Sequence, residues 1–375
     1  MDIFYAPRDA LAQTMADRLS PDPIMGTPAG LFLAAPRRTG KSSFLRGDLM
    51  PHLRDRGLYP IYVDLWADPQ ADPGELIANV LAQELDALGD RRTRLLGALP
   101  FKTLTVAGFR IDLKQADGAR SATLADALAE IGKRAAADVV FIVDEAQHAL
   151  SSPTGMHAMF ALKAARDAMN QTPDSTRLYL VFTGSHRDKL AGLTLTSKAP
   201  FFGAQVADFP RLDRSYVDAL VDHINPKLAD DNKLDRDDVE AAFKLLGYRP
   251  EKLTQVIRDH ALGTAGSAGL RQTIRDRADA LRALVWQQHE SDFGRLTDVQ
   301  RAVLRVLIDR GSDFAPFTPV TYAAVKRMTD HDVGQSQIQN ALDDLRDKSL
   351  IWRPSRGVYA LEDQDLREWL LAHIS

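Results

Sequence analysis

Cysteine is absent from the 375 residues. That excludes disulfides and thiolate metal sites, and a cytoplasmic location is the expectation. Long apolar runs are missing too. None approaches the roughly 20 residues needed to cross a bilayer, and the longest read as buried strands. The opening segment, MDIFYAPRDA, lacks the basic and apolar stretches of a secretory signal, so no membrane partner is expected. Charge of one sign is not in large excess. Lys and Arg number 47 against 51 Asp and Glu, a formal net charge of -4, so the molecule as a whole exerts no strong pull on nucleic acid. A local basic face stays open, because net charge averages over faces. The nine histidines are scattered, with no metal-ligand spacing and no nucleophile–histidine–acid arrangement. Long repeats and low-complexity tails are also lacking. What is present is an ordinary globular composition, 45% hydrophobic and 26% charged, in a chain long enough for two or three domains.

Short apolar runs alternate with helical patterns through the first half. Ala10 to Leu19 is expected to be a helix, with Leu11, Met15 and Leu19 at a spacing of four. Strands are expected at Leu31 to Ala34, Leu58 to Leu65, Val139 to Val143 and Leu178 to Phe182. Helices are expected at Ser42 to Leu53, Asp72 to Leu88, Ser121 to Ala135 (capped by Ser121) and Pro153 to Asn170. Phe101 to Leu113 reads as a hairpin turning near Ala107 and Gly108. Such a rhythm predicts an α/β parallel sheet covered on both faces. After Pro210 only helices follow, at Asp213 to Ala229, Asp235 to Leu246, Pro250 to Leu262 and Leu270 to His289. The last segment has helices at Asp298 to Arg310, Thr321 to Met328 and Gly334 to Lys348. Two short strands then flank the turn RPSRG, and Leu366 to His373 closes the chain. Three helices and a hairpin predict a winged helix-turn-helix. The expected domains are therefore 1–211, 212–290 and 291–375.

Two segments carry chemistry. APRRTGKSS, Ala35 to Ser43, follows the first strand directly and opens a helix. Gly40 lets backbone amides approach a phosphate, and the helix start supplies further donors. Lys41 is expected on the outer phosphates and Ser42 on magnesium. Ala35, Pro36, Arg37, Arg38, Thr39 and Ser43 complete the cofactor-binding loop. Ala35 stands where the strict motif has glycine, which a residue at negative φ tolerates. Arg37 and Arg38 are open to two readings, phosphate contact or solvated loop.

VVFIVDEAQ, Val139 to Gln147, is the second segment. Asp144 ends an apolar strand, where a carboxylate is costly unless a cation or donors accompany it. It is expected to hold magnesium with Ser42. Glu145 follows, placed to activate the attacking water. Gln147 is read as contacting water or relaying nucleotide state, against an ordinary surface role. Thr183 and Ser185 end the fourth strand and could reach the same region. Arg187 and Arg211 are candidates for an arginine completing a neighbouring site, or plain surface residues. Asp64 could line the cleft, and Arg249, before the helix at Pro250, could report on the γ-phosphate. ATP and Mg2+ are the expected cofactors, with slow or partner-stimulated ATP hydrolysis as the expected activity.

FYAPRDAL, APRRTGKSS, VVFIVDEAQ, LYLVFTGS and GYRP together resemble the AAA+ branch of P-loop ATPases. The likeness is strongest to archaeal-type ATPases related to signalling NTPases, and more distant to origin-recognition ATPases. It implies a P-loop NTPase parallel-sheet core, an AAA+-like helical lid and a C-terminal winged helix-turn-helix domain. It implies phosphate and magnesium roles for Lys41, Ser42 and Asp144, and the hydrolytic role for Glu145. Ser185 and Arg249 take sensor roles. Ala6-Pro7-Arg8 departs from the family's usual Gly-Arg-Glu, and Phe202-Gly203-Ala204 lacks its arginine. Adenine contacts and the intersubunit arginine are accordingly left unassigned.

In the tail, Arg346, Lys348, Arg353 and Arg356 offer positive charge. Yet residues 291–375 hold 11 lysines and arginines against 13 carboxylates, with Asp343, Asp344 and Asp347 near the presumed recognition helix. DNA contact and protein contact, including self-association, both stay open. The leading expectation is an ATP-driven switch acting on a protein or nucleic-acid partner. The alternatives are a DNA-binding ATPase of replication, transposition or regulation, and a non-hydrolysing nucleotide-binding module.

Overall fold

The computed structural model describes residues 4–20, 29–36, 38–96, 98–114, 116–172, 175–261, 267–355, 357–362 and 364–373. The chain folds into two compact units. A sheet unit holds Pro7–Ala35 and Ser42–Phe209; a helical unit holds Met1–Ala6, Pro36–Lys41 and Pro210–Ser375.

In the sheet unit, α1 (Asp9–Leu19) buries Ala12, Met15, Ala16 and Leu19, one stripe of its surface. Strand β1 is Leu31–Ala34. The helix expected after the phosphate loop is interrupted: α2 (Lys41–Phe44) passes through a π turn, Leu45–Leu49, into α3 (Met50–Asp55). Pro51 supplies the reason. Its ring and missing N–H break the helical ladder one turn upstream, and a wider turn relieves the conflict. β2 (Tyr59–Asp64) and α4 (Pro73–Leu96) follow, the helix running beyond its expected end at Leu88.

The predicted hairpin is present as β3 (Leu99–Val106) and β4 (Phe109–Asp112). Its turn residues Ala107 and Gly108 both have positive φ, as a tight two-residue hairpin turn requires. A third strand, β5 (Ala116–Ala122), pairs parallel with β3 and makes a separate sheet of order β4-β3-β5. Ser121 therefore lies in a strand and does not cap a helix. Thr123 caps α5 (Leu124–Ala135), in a capping box with Asp126. β6 (Val139–Asp144), α6 (Pro153–Gln171), β7 (Leu178–Gly184) and α7 (Arg187–Ala191) come next. The short β8 (Val206–Asp208) had no periodic signal to announce it.

The main sheet is five parallel strands in the order β2-β6-β7-β1-β8. Alternate residues serve opposite faces. Phe32, Ile61, Phe141 and Phe182 pack toward residues of α4, α5 and α6, while Leu33, Val140, Ile142 and Val181 pack toward α1 and the helix after the loop. Every residue of β6 is buried, which is why its sequence is a continuous apolar run and not an alternating one.

The helical unit carries α8 (Arg214–Ile224), α9 (Arg236–Leu245) and α10 (Pro250–Ala261) around Tyr216, Val217, Leu220, Val239, Phe243 and Leu253. Asp213 and Asp235 cap α8 and α9 by accepting backbone N–H groups. α8 stops short of Ala229, because Pro226 sits in a 3-10 turn, Asn225–Lys227. The long α11 (Ser267–Gly294) leads to α12 (Asp298–Arg310), α13 (Pro319–Thr329) and α14 (Gln335–Asp347). An antiparallel hairpin, β9 (Ile351–Ser355) and β10 (Val358–Leu361), precedes α15 (Gln364–His373). A second core there joins Val303, Leu307, Val325, Ile338, Leu342 and Trp369. Among the described residues no helix is long and apolar enough to cross a membrane.

Candidate functional site

Parallel pairing brings the carboxyl ends of the strands into a row. Asp64 of β2 lies opposite Asp144 of β6, Val143 of β6 opposite Phe182 of β7, and Gly184 of β7 opposite Ala34 of β1. Open parallel sheets bind ligands at that edge.

Asp144 has no exposed surface. Its carboxylate accepts hydrogen bonds from Ser42 Oγ at 2.5 Å, Tyr62 Oη at 2.8 Å, Thr183 Oγ1 and the Glu145 N–H at 3.0 Å. These donors offset the desolvation of a buried anion. Burial, reinforced by Asp144, pushes the Tyr62 phenol above its ordinary range, so it remains a donor. Asp64 accepts the Trp66 N–H at 2.9 Å. Burial raises its carboxyl too, and the charges of Asp144 and Glu145 add to that effect. Negative charge is thus concentrated at one strand edge, where a cation would be welcome.

Glu145 is left-handed, with φ 52°, an uncommon and costly state for a non-glycine residue. The turn swings its side chain to a different set of partners. Gln147 Nε2 donates to Glu145 Oε2 at 2.5 Å, and Ser185 Oγ donates to the same oxygen at 2.7 Å. Gln147 Nε2 also lies 3.1 Å from Ser185 Oγ, closing a triangle. Gln147 is buried, and its Oε1 has no hydrogen-bond partner. It lies against Gly184, where an added Cβ would sit 2.5 Å from Oε1.

The loop expected to take phosphate has its own constraints. Ala35 is buried and keeps a negative φ, and its N–H donates to Gly184 O at 3.0 Å. Gly40 adopts φ 84°, a conformation that suits glycine alone, and Arg38 is left-handed at φ 65°. Thr39 Oγ1 donates to Pro36 O at 2.8 Å, tightening the loop. Lys41 is buried at the head of α2, immediately before Ser42, whereas Ser43 is exposed. Arg37 lies outside the described residues. Arg38 pairs with Glu251 of α10 at 3.3 Å, an exposed ion pair of small energetic weight.

Other expected residues sit elsewhere. Arg187 pairs with Asp208 at 2.5 Å, within its own chain. Arg211 lies over the Tyr248 ring at 5.5 Å, and Arg249 stands between Tyr248 and the start of α10. In the sheet unit, then, Ser42, Asp144, Glu145, Thr183 and Ser185 converge. Tyr62 was not foreseen. Its one sequence signal is its place two residues before Asp64, on the same face of β2.

Among the described residues no group of three or more His, Asp or Glu is set to hold a metal. The donor set is one hydroxyl and one carboxylate, which suits an ion that takes most of its ligands from phosphate and water, as magnesium does.

No family model matches the sequence, and no curated protein does. Solved structures do match. The Walker-type ATPase of Pyrococcus abyssi aligns over 97% of this chain and 95% of its own, at 17% identity and a TM-score of 0.56. The Aeropyrum pernix ORC2 protein, in its ADP form, aligns over 98% and 93%, at 14% identity and a TM-score of 0.52. With its parallel sheet flanked by helices and a loop-bearing first strand inside that sheet, the chain shares a P-loop-like α/β fold with these two structures.

Proposed function

We propose that the chain is a magnesium-dependent ATPase that works as a conformational switch. The observation that carries this reading is the buried Asp144, bonded to Ser42 in the first turn after the phosphate loop and followed by a catalytic candidate held aside from it. Lys41 and the loop amides would bind the β- and γ-phosphates. Ser42 and Asp144 would hold magnesium, which supplies charge neutralisation at the phosphates. Glu145 would take the proton of the attacking water, provided its side chain leaves Gln147 and Ser185. Ser185 would then be free to bond the γ-phosphate or the water. Three helices, α8 to α10, are read as the AAA+-like lid, with Arg249 as its sensor. Helices α12 to α14 with the β9–β10 hairpin are read as a winged helix, the output element.

Two substitutions test the assignment. Lys41→Ala should abolish ATP binding. Glu145→Gln should bind ATP with near-wild-type affinity and lose hydrolysis by roughly 100-fold or more. Full turnover in the second variant would remove Glu145 from the mechanism.

A DNA-associated ATPase is the second reading, and one feature of α14 favours it. Its exposed first half carries Gln335, Ser336, Gln337 and Asn340, side chains suited to base edges. The nearby carboxylates are partly occupied: Asp344 accepts Gln300 Nε2 at 2.7 Å, and Asp343 pairs with Arg346 at 3.5 Å. Arg356, in the turn, lies outside the described residues. Duplex-stimulated turnover, lost on neutralising Arg346 and Arg353, would select this reading over a protein-directed switch.

A further inference from the structure

The hydrogen bonds that hold Glu145 include a histidine. Ser185 Oγ donates to Glu145 Oε2 at 2.7 Å, and it also lies 3.1 Å from Gln147 Nε2 and 3.1 Å from His186 Nδ1. His186 is the N-cap residue of α7. Its carbonyl accepts the Leu190 N–H at 2.9 Å, but its imidazole makes no cap bond to the helix. The ring is turned to the hydroxyl one residue back.

A hydroxyl carries one proton and two lone pairs, an ionised carboxylate only accepts, and an amide nitrogen only donates. The Ser185 proton therefore goes to Glu145, and Gln147 Nε2 donates to a lone pair of the same hydroxyl. His186 Nδ1 can then bond that oxygen only as an N–H donor. As an acceptor it would compete with Glu145 for the single proton. Donation to the oxygen also polarises its O–H, which strengthens the bond made to the carboxylate. We propose that His186 is a positioning residue whose Nδ1–H fixes the Ser185 hydroxyl on Glu145, keeps Glu145 from the attacking water, and so sets the basal rate of hydrolysis. The effect on rate rests on the ATPase reading above; the protonation of Nδ1 does not.

Long-range proton–nitrogen NMR of the full chain, carrying isotope-labelled histidine, reports which ring nitrogen holds the proton above the ordinary histidine pKa. The His186 signals are those missing from His186→Asn. Nδ1 should be protonated in the wild type, and Ser185→Ala should remove that preference, because the acceptor is gone. Steady-state hydrolysis is then compared with an equilibrium ATP titration. His186→Leu should raise kcat roughly three- to tenfold, the worth of one hydrogen bond, with ATP affinity unchanged. His186→Asn, whose amide nitrogen can donate from nearly the place of Nδ1, should return the rate to within about twofold of wild type. An unprotonated Nδ1 in the wild type would overturn the proposal. So would a folded His186→Leu protein no faster than wild type, or an Asn variant that behaves like the Leu one. If His186→Leu does not fold, the wild-type NMR result still decides. A wild-type chain that neither binds nor hydrolyses ATP would sink the ATPase reading and the rate claim together, a failure distinct from the wrong ring nitrogen being protonated.

Discussion

A carboxylate without exposed surface must replace the water it has lost, and Asp144 does so with donors from Ser42, Tyr62, Thr183 and the Glu145 backbone. Removing one should be felt in the empty protein as well as the loaded one. Tyr62→Phe should cost about 1.5–3 kcal/mol in denaturant unfolding, the range for a hydrogen bond to a charged group. It should also raise the magnesium concentration needed for nucleotide binding, measured with a fluorescent ATP analogue, because the carboxylate loses an orienting partner. Unaltered stability and magnesium dependence would assign Tyr62 to packing alone. Asp64 tests the charge balance. Its folded-state pKa is raised by burial first, then by Asp144 and Glu145. The folded state therefore holds that proton to a higher pH than the unfolded chain does. Its favourable contribution is full below the ordinary carboxylate pKa and is lost as pH climbs through the raised value. Asp64→Asn keeps the acceptor for Trp66 and deletes the charge. It should raise the melting temperature near neutral pH by about 1–3 °C, with the gain shrinking in acidic buffer. A gain that is independent of pH would contradict the electrostatic account.

At the scale of elements, the end of β7 and the short 3-10 turn after β6 work as a pair. Gly184 leaves room for the Gln147 amide, and Gln147 in turn holds Glu145 beside Ser185. Adding one methyl there displaces Gln147, since the new Cβ would lie 2.5 Å from Oε1. Gly184→Ala should therefore alter hydrolysis several-fold while ATP affinity changes little, because the added methyl meets Gln147 and Leu190 and not the side chains proposed to hold phosphate. The measurement is kcat beside an equilibrium ATP titration. Parallel losses in both would indicate damage to the sheet itself. The π turn between α2 and α3 and the left-handed Glu145 belong to the same scale. Both depart from regular geometry next to the residues expected to carry chemistry, where such departures concentrate.

For the whole molecule, a ligand that binds only the folded state raises stability by mass action. Magnesium and ATP at a hundredfold excess over the dissociation constant should add about 2.7 kcal/mol, seen as a rise of several degrees in melting temperature. Lys41→Ala should abolish that shift without lowering the melting temperature of the ligand-free protein by a similar amount. A rise that persisted in this variant would mean that ATP stabilises the chain at some other place. With a net charge of -4, nonspecific attraction to nucleic acid is weak, so any duplex effect must come from a local basic face.

Sequence alone determined what depends on near neighbours. Apolar runs marked β1, β2, β6 and β7, and the meeting of Ser42 with Asp144 could be anticipated because each stands in a contiguous segment at an element end. Helix starts were legible where a capping side chain precedes them, as at Asp213 and Asp235; the cap at Thr123 was misassigned to Ser121 because β5 carries no clear period. Tertiary structure decided the rest. Strand order and register brought Tyr62 and Thr183 onto Asp144, and Ser185 and Gln147 onto Glu145. Those contacts join residues up to 82 apart in sequence within one carboxylate's reach, and no local pattern encodes such a distance.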